Sequence, residues 1–333
     1  MPFVKGDKAL ARRNTIWYNS IQSTLSHSVL GTHYSVLRMT QTKSNQHLDL
    51  PNLRLIPTDS MVLHEYADDK RVARLEARLR NDGYLKSPPI VAPMPGSSRF
   101  VVLDGANRTS ALLRLGCPHA LVQVVDYKSP QVQLYTWHHL ITGRRPETFL
   151  AEIRGIDGLT VEAATLAEAR AALAAREILA YVGMPPDASG RSMVYMVDGL
   201  PGTEHHTPQN STAFLNAMVS TYKGDPLVAI HRVNADDLGE LISYYDIVSG
   251  LVVFPPYSPD DILHLAEAGT KVPTGITRHI ISPRALRVNV PIALLNGDST
   301  LEEKNAWWHD QLKRKLASNE IRLYQESTYL FDE

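Results

Sequence analysis

The sequence predicts a mixed α/β fold, and three features of the chain predict it. Short apolar, β-favouring runs, among them Leu53–Pro57, Phe100–Leu103 and Ala120–Val125, are bounded by Pro, Gly and Asp. Helical periodicity fills the gaps, as where Val72, Leu75 and Leu79 share one face ahead of Asp82-Gly83. Between Leu103 and Ala111 a strand runs through Asp104-Gly105 straight into a helix that Gly116 stops. The 333 residues are enough for two domains. We place a poorly patterned extension at 1–48, a small α/β domain at 49–150 and a mixed α/β domain at 151–333.

Composition narrows the class. Hydrophobic residues make up 44% and charged residues 21%, as in a globular, folded chain. Lys and Arg total 34 against 35 Asp and Glu, so no global field for nucleic acid exists. Cys117 is the sole cysteine, which excludes an intramolecular disulfide and every Cys-rich metal pattern. No run of 18 apolar residues is present, so a soluble, cytoplasmic protein without a membrane partner is expected. Residues 1–48 carry Lys5, Lys8, Arg12, Arg13, Arg38 and Lys43 with weak periodicity, and read as a loosely ordered extension, with Met39 a second possible start.

The elements follow in order. Leu53–Pro57 is a strand, Ser60–Glu65 a lead into a helix capped by Asp68 or Asp69, and Pro88–Ala92, Phe100–Leu103 and Ala120–Val125 are strands. Pro130 opens a predicted helix that carries Trp137-His138-His139, and Ala163 to Ala180 reads as a second, alanine-rich one. Strands at 193–198 and 226–230 alternate with helices at 211–222 and 236–245, and a further strand ends at Val252–Pro256. Ser258-Pro259-Asp260-Asp261 starts a helix with Pro at its first position. Lys271 to His279 is polar and Gly-containing; Arg287–Leu295 reads as a strand, 300–318 as a helix and 321–331 as a closing strand. Adjacent histidines at 138–139 and in Glu204-His205-His206 point apart on any regular element, which disfavours a metal site.

The strand–turn–helix at 103–115 is the first place where chemistry enters. The first N–H groups of the helix and its dipole favour an anion above the strand end. Arg108 adds a planar fork, and Asp104 stands where it would hold Mg²⁺, a ribose hydroxyl or a backbone amide. An ordinary strand–helix connection looks the same at this level. Glu65 likewise suits either catalysis or a helix cap.

Three motifs in this order, Leu63-His64-Glu65, Asp82-Gly83 followed by Pro88-Pro89-Ile90-Val91, and Leu103-Asp104-Gly105-x-x-Arg108, resemble the ParB/sulfiredoxin-like fold and, within it, the free L-serine kinase branch. Tyr135 to His139, Pro256-Tyr257-Ser258, Val272 to Arg278, Val290 to Leu295 and Tyr329-Leu330 are similar to stretches of its siderophore-cluster enzymes. The likeness spans about residues 50 to 333 and is thinnest near 150 to 250.

The resemblance implies a small ParB/sulfiredoxin-like first domain and a second α/β domain that completes the serine site. It implies transfer of a phosphoryl group from ATP or ADP to free L-serine, with Mg²⁺ as cofactor and O-phospho-L-serine as product for diaminopropionate or siderophore assembly. Glu65 falls at the family's base and Asp104 at the Mg-nucleotide; Gly105, Ala106, Asn107, Arg108 and Thr109 fall at the phosphates; Trp137, Thr274, Gly275, Ile276, Thr277 and Arg278 fall at the acceptor pocket. Asn107 stands where many relatives carry His, and Ala106 where sulfiredoxin chemistry needs Cys. Haem sensing does not carry over. A monomer or homodimer acting on small molecules is expected. The alternative, a DNA-binding regulator, calls for a basic helix-turn-helix that the alanine-rich, then neutral, region after residue 150 does not offer.

Overall fold

The computed structural model describes residues 50–187, 189–200 and 207–324, and these described residues form one compact unit. In order come β1 (Leu53–Pro57), β2 (Met61–Leu63), α1 (Asp69–Asp82), β3 (Tyr84–Leu85), β4 (Ile90–Pro93), β5 (Phe100–Asp104), α2 (Ala106–Arg114), β6 (His119–Val124), β7 (Val132–Thr136), β8 (His138–Thr142) and α3 (Pro146–Arg154). Next are β9 (Leu159–Ala164), α4 (Leu166–Ala174), β10 (Ala180–Met184), β11 (Met193–Gly199), α5 (Pro208–Ser220), β12 (Ala229–Val233), β13 (Val248–Val253) and α6 (Pro259–Glu267). β14 (Thr277–Ile281), β15 (Val290–Pro291), α7 (Ile292–Asn296) and α8 (Leu301–Ala317) complete the described chain.

This is the mixed α/β architecture the patterning predicts. One sheet has the order β1-β6-β4-β5-β2, with β2 parallel to β5 and β4 parallel to β6. A second, antiparallel sheet has the order β12-β8-β13-β10-β11-β9. Residues on both sides of position 150 share one core: Ala92, Val101 and Leu103 of the first sheet cluster with Phe149, Val182, Val252 and Phe254. The exposed edge of β1 is covered by α8, where Asn305 donates to Leu55 O and accepts from Leu55 N, and the Trp308 indole donates to Leu53 O.

Four readings are corrected. The helix expected from Pro130 is replaced by the strands Val132–Thr136 and His138–Thr142, because Val132, Leu134 and Thr136 alternate with the outward Gln133 and Tyr135, a period of two that Pro130 had masked. The alanine-rich helix is confined to Leu166–Ala174, started by a Thr165–Glu168 capping box and ended before Arg176 turns left-handed at φ 59°. The predicted helix at 236–245 is two short 3₁₀ turns, Leu238–Glu240 and Ile242–Tyr244. The strand predicted over 287–295 shrinks to Val290–Pro291 and continues as a helix, since Arg287 and Asn289 adopt positive φ. Glu204-His205-His206, Tyr329-Leu330 and most of the predicted closing strand lie outside the described residues.

Candidate active-site cleft

The site is assembled where β2 runs out. His64, the residue after that strand, is 1% exposed, and burial holds its imidazole below its ordinary pKa. A carbonyl only accepts, so Nδ1–H donates to Val102 O (2.7 Å) and the neutral ring accepts the Thr277 hydroxyl at Nε2 (2.9 Å). His279 repeats the device: burial pushes it well below its ordinary value, and Nε2 accepts the Tyr127 hydroxyl at 2.8 Å. Neutral imidazoles thus bind the strand that leads to Asp104 to the strand that carries Thr277.

Glu65 is held by the same join. Val272 N–H donates to His64 O (2.9 Å) and Tyr66 N–H to Val272 O (3.3 Å), which brings the 272–277 segment alongside. Gly275 N–H then donates to Glu65 Oε2 (3.0 Å), and Thr277 Oγ1 approaches the same oxygen at 3.3 Å. With the Thr277 proton given to His64 Nε2, the 3.3 Å approach is a contact and not a second donation; both contacts fall on Oε2, so the other carboxylate oxygen is left for a ligand. Thr274 secures the loop, donating to Tyr66 O (2.8 Å) and accepting from Lys223 Nζ (2.9 Å).

The Asp104 turn faces this carboxylate across the cleft. Gly105 takes φ +97°, which strains any L side chain, and a Cβ there would crowd Pro89 Cα at 3.1 Å. Arg108 is a brace: it donates to Ser87 O (2.9 Å), Pro88 O (3.2 Å) and Asp104 Oδ2 (2.7 Å), and Arg284 converges on the same Asp104 oxygen. Asn107 Oδ1 accepts Asp68 N–H (2.8 Å), tying the start of α1 to the start of α2. No side chain caps α2 and its first turn holds no acid, so the leading amides are left for an anion. Thr109 is the exception among the residues assigned to phosphate. It is fully buried, its N–H donates to Gly105 O (2.8 Å), and its hydroxyl has no partner, so it lies in the core rather than on the cleft.

Between these walls lies a cleft of about 590 Å³, bordered by Glu65, Asn107 and Thr274 and by Arg71, Arg74 and Arg78 of α1. The three arginines fall at helical spacing on one face, a basic stripe legible in the sequence that pattern reading passed over. Arg232 enters from β12, at the edge of the other sheet. Nothing local in Ile230-His231-Arg232-Val233 marks it as a site residue.

The remaining assigned residues stand behind this wall. Ile276 is buried, and its carbonyl accepts Trp137 N–H at 2.8 Å. Strand alternation sends Thr277 toward Glu65 and Arg278 the other way, where its guanidinium lies 4.3 Å from the centre of the Trp137 ring and donates to Asn234 Oδ1 (2.6 Å). Arg278 therefore lines a second cleft of about 640 Å³, with Tyr135, His138, Tyr181 and Tyr257. Burial pushes His138 there down to about 4. Among the described residues, no group of three His, Cys, Asp or Glu converges on a common point, and no helix is long and apolar enough to cross a membrane.

Comparison with known proteins adds the relatives. The chain is homologous to SbnI of Staphylococcus aureus, an ATP-dependent L-serine kinase, at 28% identity over 85% of this chain and 98% of that protein. It is 34% identical to an ATP-dependent L-serine kinase of Staphylothermus marinus over 27% of this chain and 35% of that one. No family model matches. Among solved structures, truncated SbnI superposes with a TM-score of 0.59 at 23% identity over 81% of this chain and 97% of its own. A free serine kinase in complex with AMP does so at 0.60 and 19%, over 75% and 97%. The structural likenesses cover 81% and 75% of this chain and fit the mixed α/β fold.

Proposed function

We propose that this chain, a homologue of SbnI and of the ATP-dependent L-serine kinases, phosphorylates free L-serine. The observation that carries the reading is Glu65: a carboxylate fixed on one oxygen by Gly275, with its other oxygen open, on a cleft that arginines and an uncapped helix start also border. A serine hydroxyl is a poor nucleophile, and a positioned carboxylate accepts its proton as the bond to phosphorus forms. The transferred group carries dispersed negative charge, which the arginines and the amides of α2 neutralise.

In this reading the serine Oγ–P bond forms while the bond from phosphorus to the nucleotide oxygen breaks. The proton moves to Glu65 and the nucleotide leaves one phosphate shorter. Asn107, Gly105 and Ala106 hold the donor phosphates, and Arg71, Arg74 and Arg78 offer charge to the rest of the polyphosphate. Arg108 acts through Asp104 by holding it in place. Thr274, Gly275 and Thr277 form the acceptor wall, braced from behind by Ile276, Trp137 and Arg278.

Magnesium fits the Asp104 corner in one specific way. Oδ2 is taken by Arg108 and Arg284, leaving Oδ1 as the one carboxylate oxygen for a cation. One carboxylate plus phosphate oxygens is a common Mg²⁺ environment. Asp104 and the donor phosphates would hold the ion there, and it would supply charge neutralisation. Phosphoserine made in this way suits diaminopropionate or siderophore assembly.

The test is direct. Purified protein with L-serine, Mg²⁺ and either ATP or ADP is expected to yield O-phosphoserine by phosphorus NMR, and absence of product with both donors rejects the reading. Duplex DNA binding that weakens steeply with salt would favour the regulator instead.

A further inference from the structure

Several arginines border this cleft or stand behind it, Arg71, Arg74 and Arg78 of α1 among them, and two of the others are already occupied. Arg108 is committed to Ser87, Pro88 and Asp104; Arg278 is stacked on Trp137 and bonded to Asn234. The guanidinium of Arg232 makes no hydrogen bond or ion pair with any described residue. From this contrast we infer that Arg232 is the residue that grips the phosphoryl group in flight, an assignment that rests on the serine kinase reading above.

Its placement is built rather than incidental. The guanidinium sits against Gly275, so closely that a Cβ at that position would fall 1.9 Å from Nη2 and 2.3 Å from Cζ. Gly275 also takes φ +76°, which L side chains rarely adopt. The N–H of this same glycine fixes Glu65 Oε2 at 3.0 Å. One backbone position therefore sets both the base and the cation. Arg232 is anchored from below by β12, where it pairs in register with the buried His139 of β8.

The electrostatics point the same way. Partial burial disfavours the charged guanidinium and the nearby Arg71 opposes it; Glu65 supports it without closing an ion pair. The Arg232 side chain still reaches solvent, so its donors are free to exchange water for charge-assisted bonds to an anion seated between Arg232 and Arg71. A planar fork suits two oxygens of one phosphoryl group. Because Glu65 is not neutralised by direct pairing, it keeps its capacity to take the serine proton. As serine Oγ bonds to phosphorus and the nucleotide oxygen departs with its electron pair, Arg232 donates to two of the three equatorial oxygens over which charge is spread.

Steady-state kinetics on R232Q, R232K and R232A test this. Removal of a transition-state donor predicts a fall in kcat of about 10²- to 10³-fold for R232Q, with the KM for serine changed by less than about threefold. R232K is expected to fall nearly as far, since an ammonium lacks the fork. Added guanidinium ion restores part of the R232A rate and ammonium does not, which also shows that the variant is folded. A kcat for R232Q within about threefold of the natural protein overturns the assignment, as does a loss confined to KM for serine. If the natural protein makes no phosphoserine with either nucleotide, the kinase reading fails by itself, and calorimetric titration with tripolyphosphate decides Arg232 independently. Affinity about tenfold weaker in R232Q keeps a phosphate site at Arg232, and equal affinity removes it.

Discussion

The two clefts differ in what their charges are doing. In the second cleft Arg170 clasps Asp236 through two bonds (2.8 and 2.7 Å), Tyr181 donates to the Asp236 carbonyl (2.9 Å), and Arg278 is held by Trp137 and Asn234. Those side chains are satisfied within the protein. In the first cleft one oxygen of Glu65, the guanidinium of Arg232 and the first amides of α2 are positioned but unfilled. Satisfied charge holds a fold together; positioned, unsatisfied charge is what an incoming anion and its nucleophile need. The two clefts are close in volume, so size does not distinguish them.

The sharpest way to break this comparison is Glu65→Gln, which keeps shape and the Gly275 bond but cannot accept a proton. Loss of kcat by about 10²- to 10⁴-fold with nucleotide affinity retained is expected, and an unchanged rate takes Glu65 out of the chemistry. Next is Gly275→Ala, which forces Arg232 aside and strains a left-handed backbone. It should lower kcat by about 10²-fold and also cost about 1 kcal/mol of stability in denaturant unfolding; normal activity would mean that the contact between Arg232 and Gly275 has no role.

A third effect is on stability alone. Native His64 and His279 are held below 6.5, and His139 down to about 3, in each case chiefly by burial. Below pH 6.5 the unfolded chain binds protons that the native rings refuse, so stability falls as pH falls, by at most about 1.4 kcal/mol per pH unit for each histidine. The loss begins near pH 6.5 and continues toward about pH 3 for His139. A Tm that stays level from neutral pH down to about pH 5 contradicts neutral, buried rings. The smallest effect is expected from Arg278→Gln on the second cleft, with kcat within about threefold and a stability loss of about 1 kcal/mol. A loss matching that of R232Q would make the second cleft part of the reaction site.

Much of the candidate site was legible because its parts are local. Gly105 follows a strand and opens a helix, Asp68 caps α1, and Glu65 sits just past a short strand, each within a few residues of its own signal. The assignments that shifted depend on direction. Thr109 belongs to the helix face turned inward, and Arg278 to the strand face opposite Thr277, and a one-residue step decides which face a side chain takes. The helix expected from Pro130 failed for a related reason: a single proline outweighed a two-residue alternation five residues long.

By itself the sequence determined the α/β class, the position of most strands and helices, and the motifs around Glu65 and Asp104. These follow from periodicity, capping and turn chemistry, which act over a few residues. The tertiary structure alone decided that Arg108 is a brace, that neutral His64 and His279 tie two distant strands together, and that Arg232 lies on Gly275 beside Glu65. Apart from the Arg108–Asp104 pair, one helical turn apart, those contacts join residues well separated along the chain, up to more than two hundred positions for Glu65 and Gly275, and only packing sets the distances that separate an occupied donor from a free one.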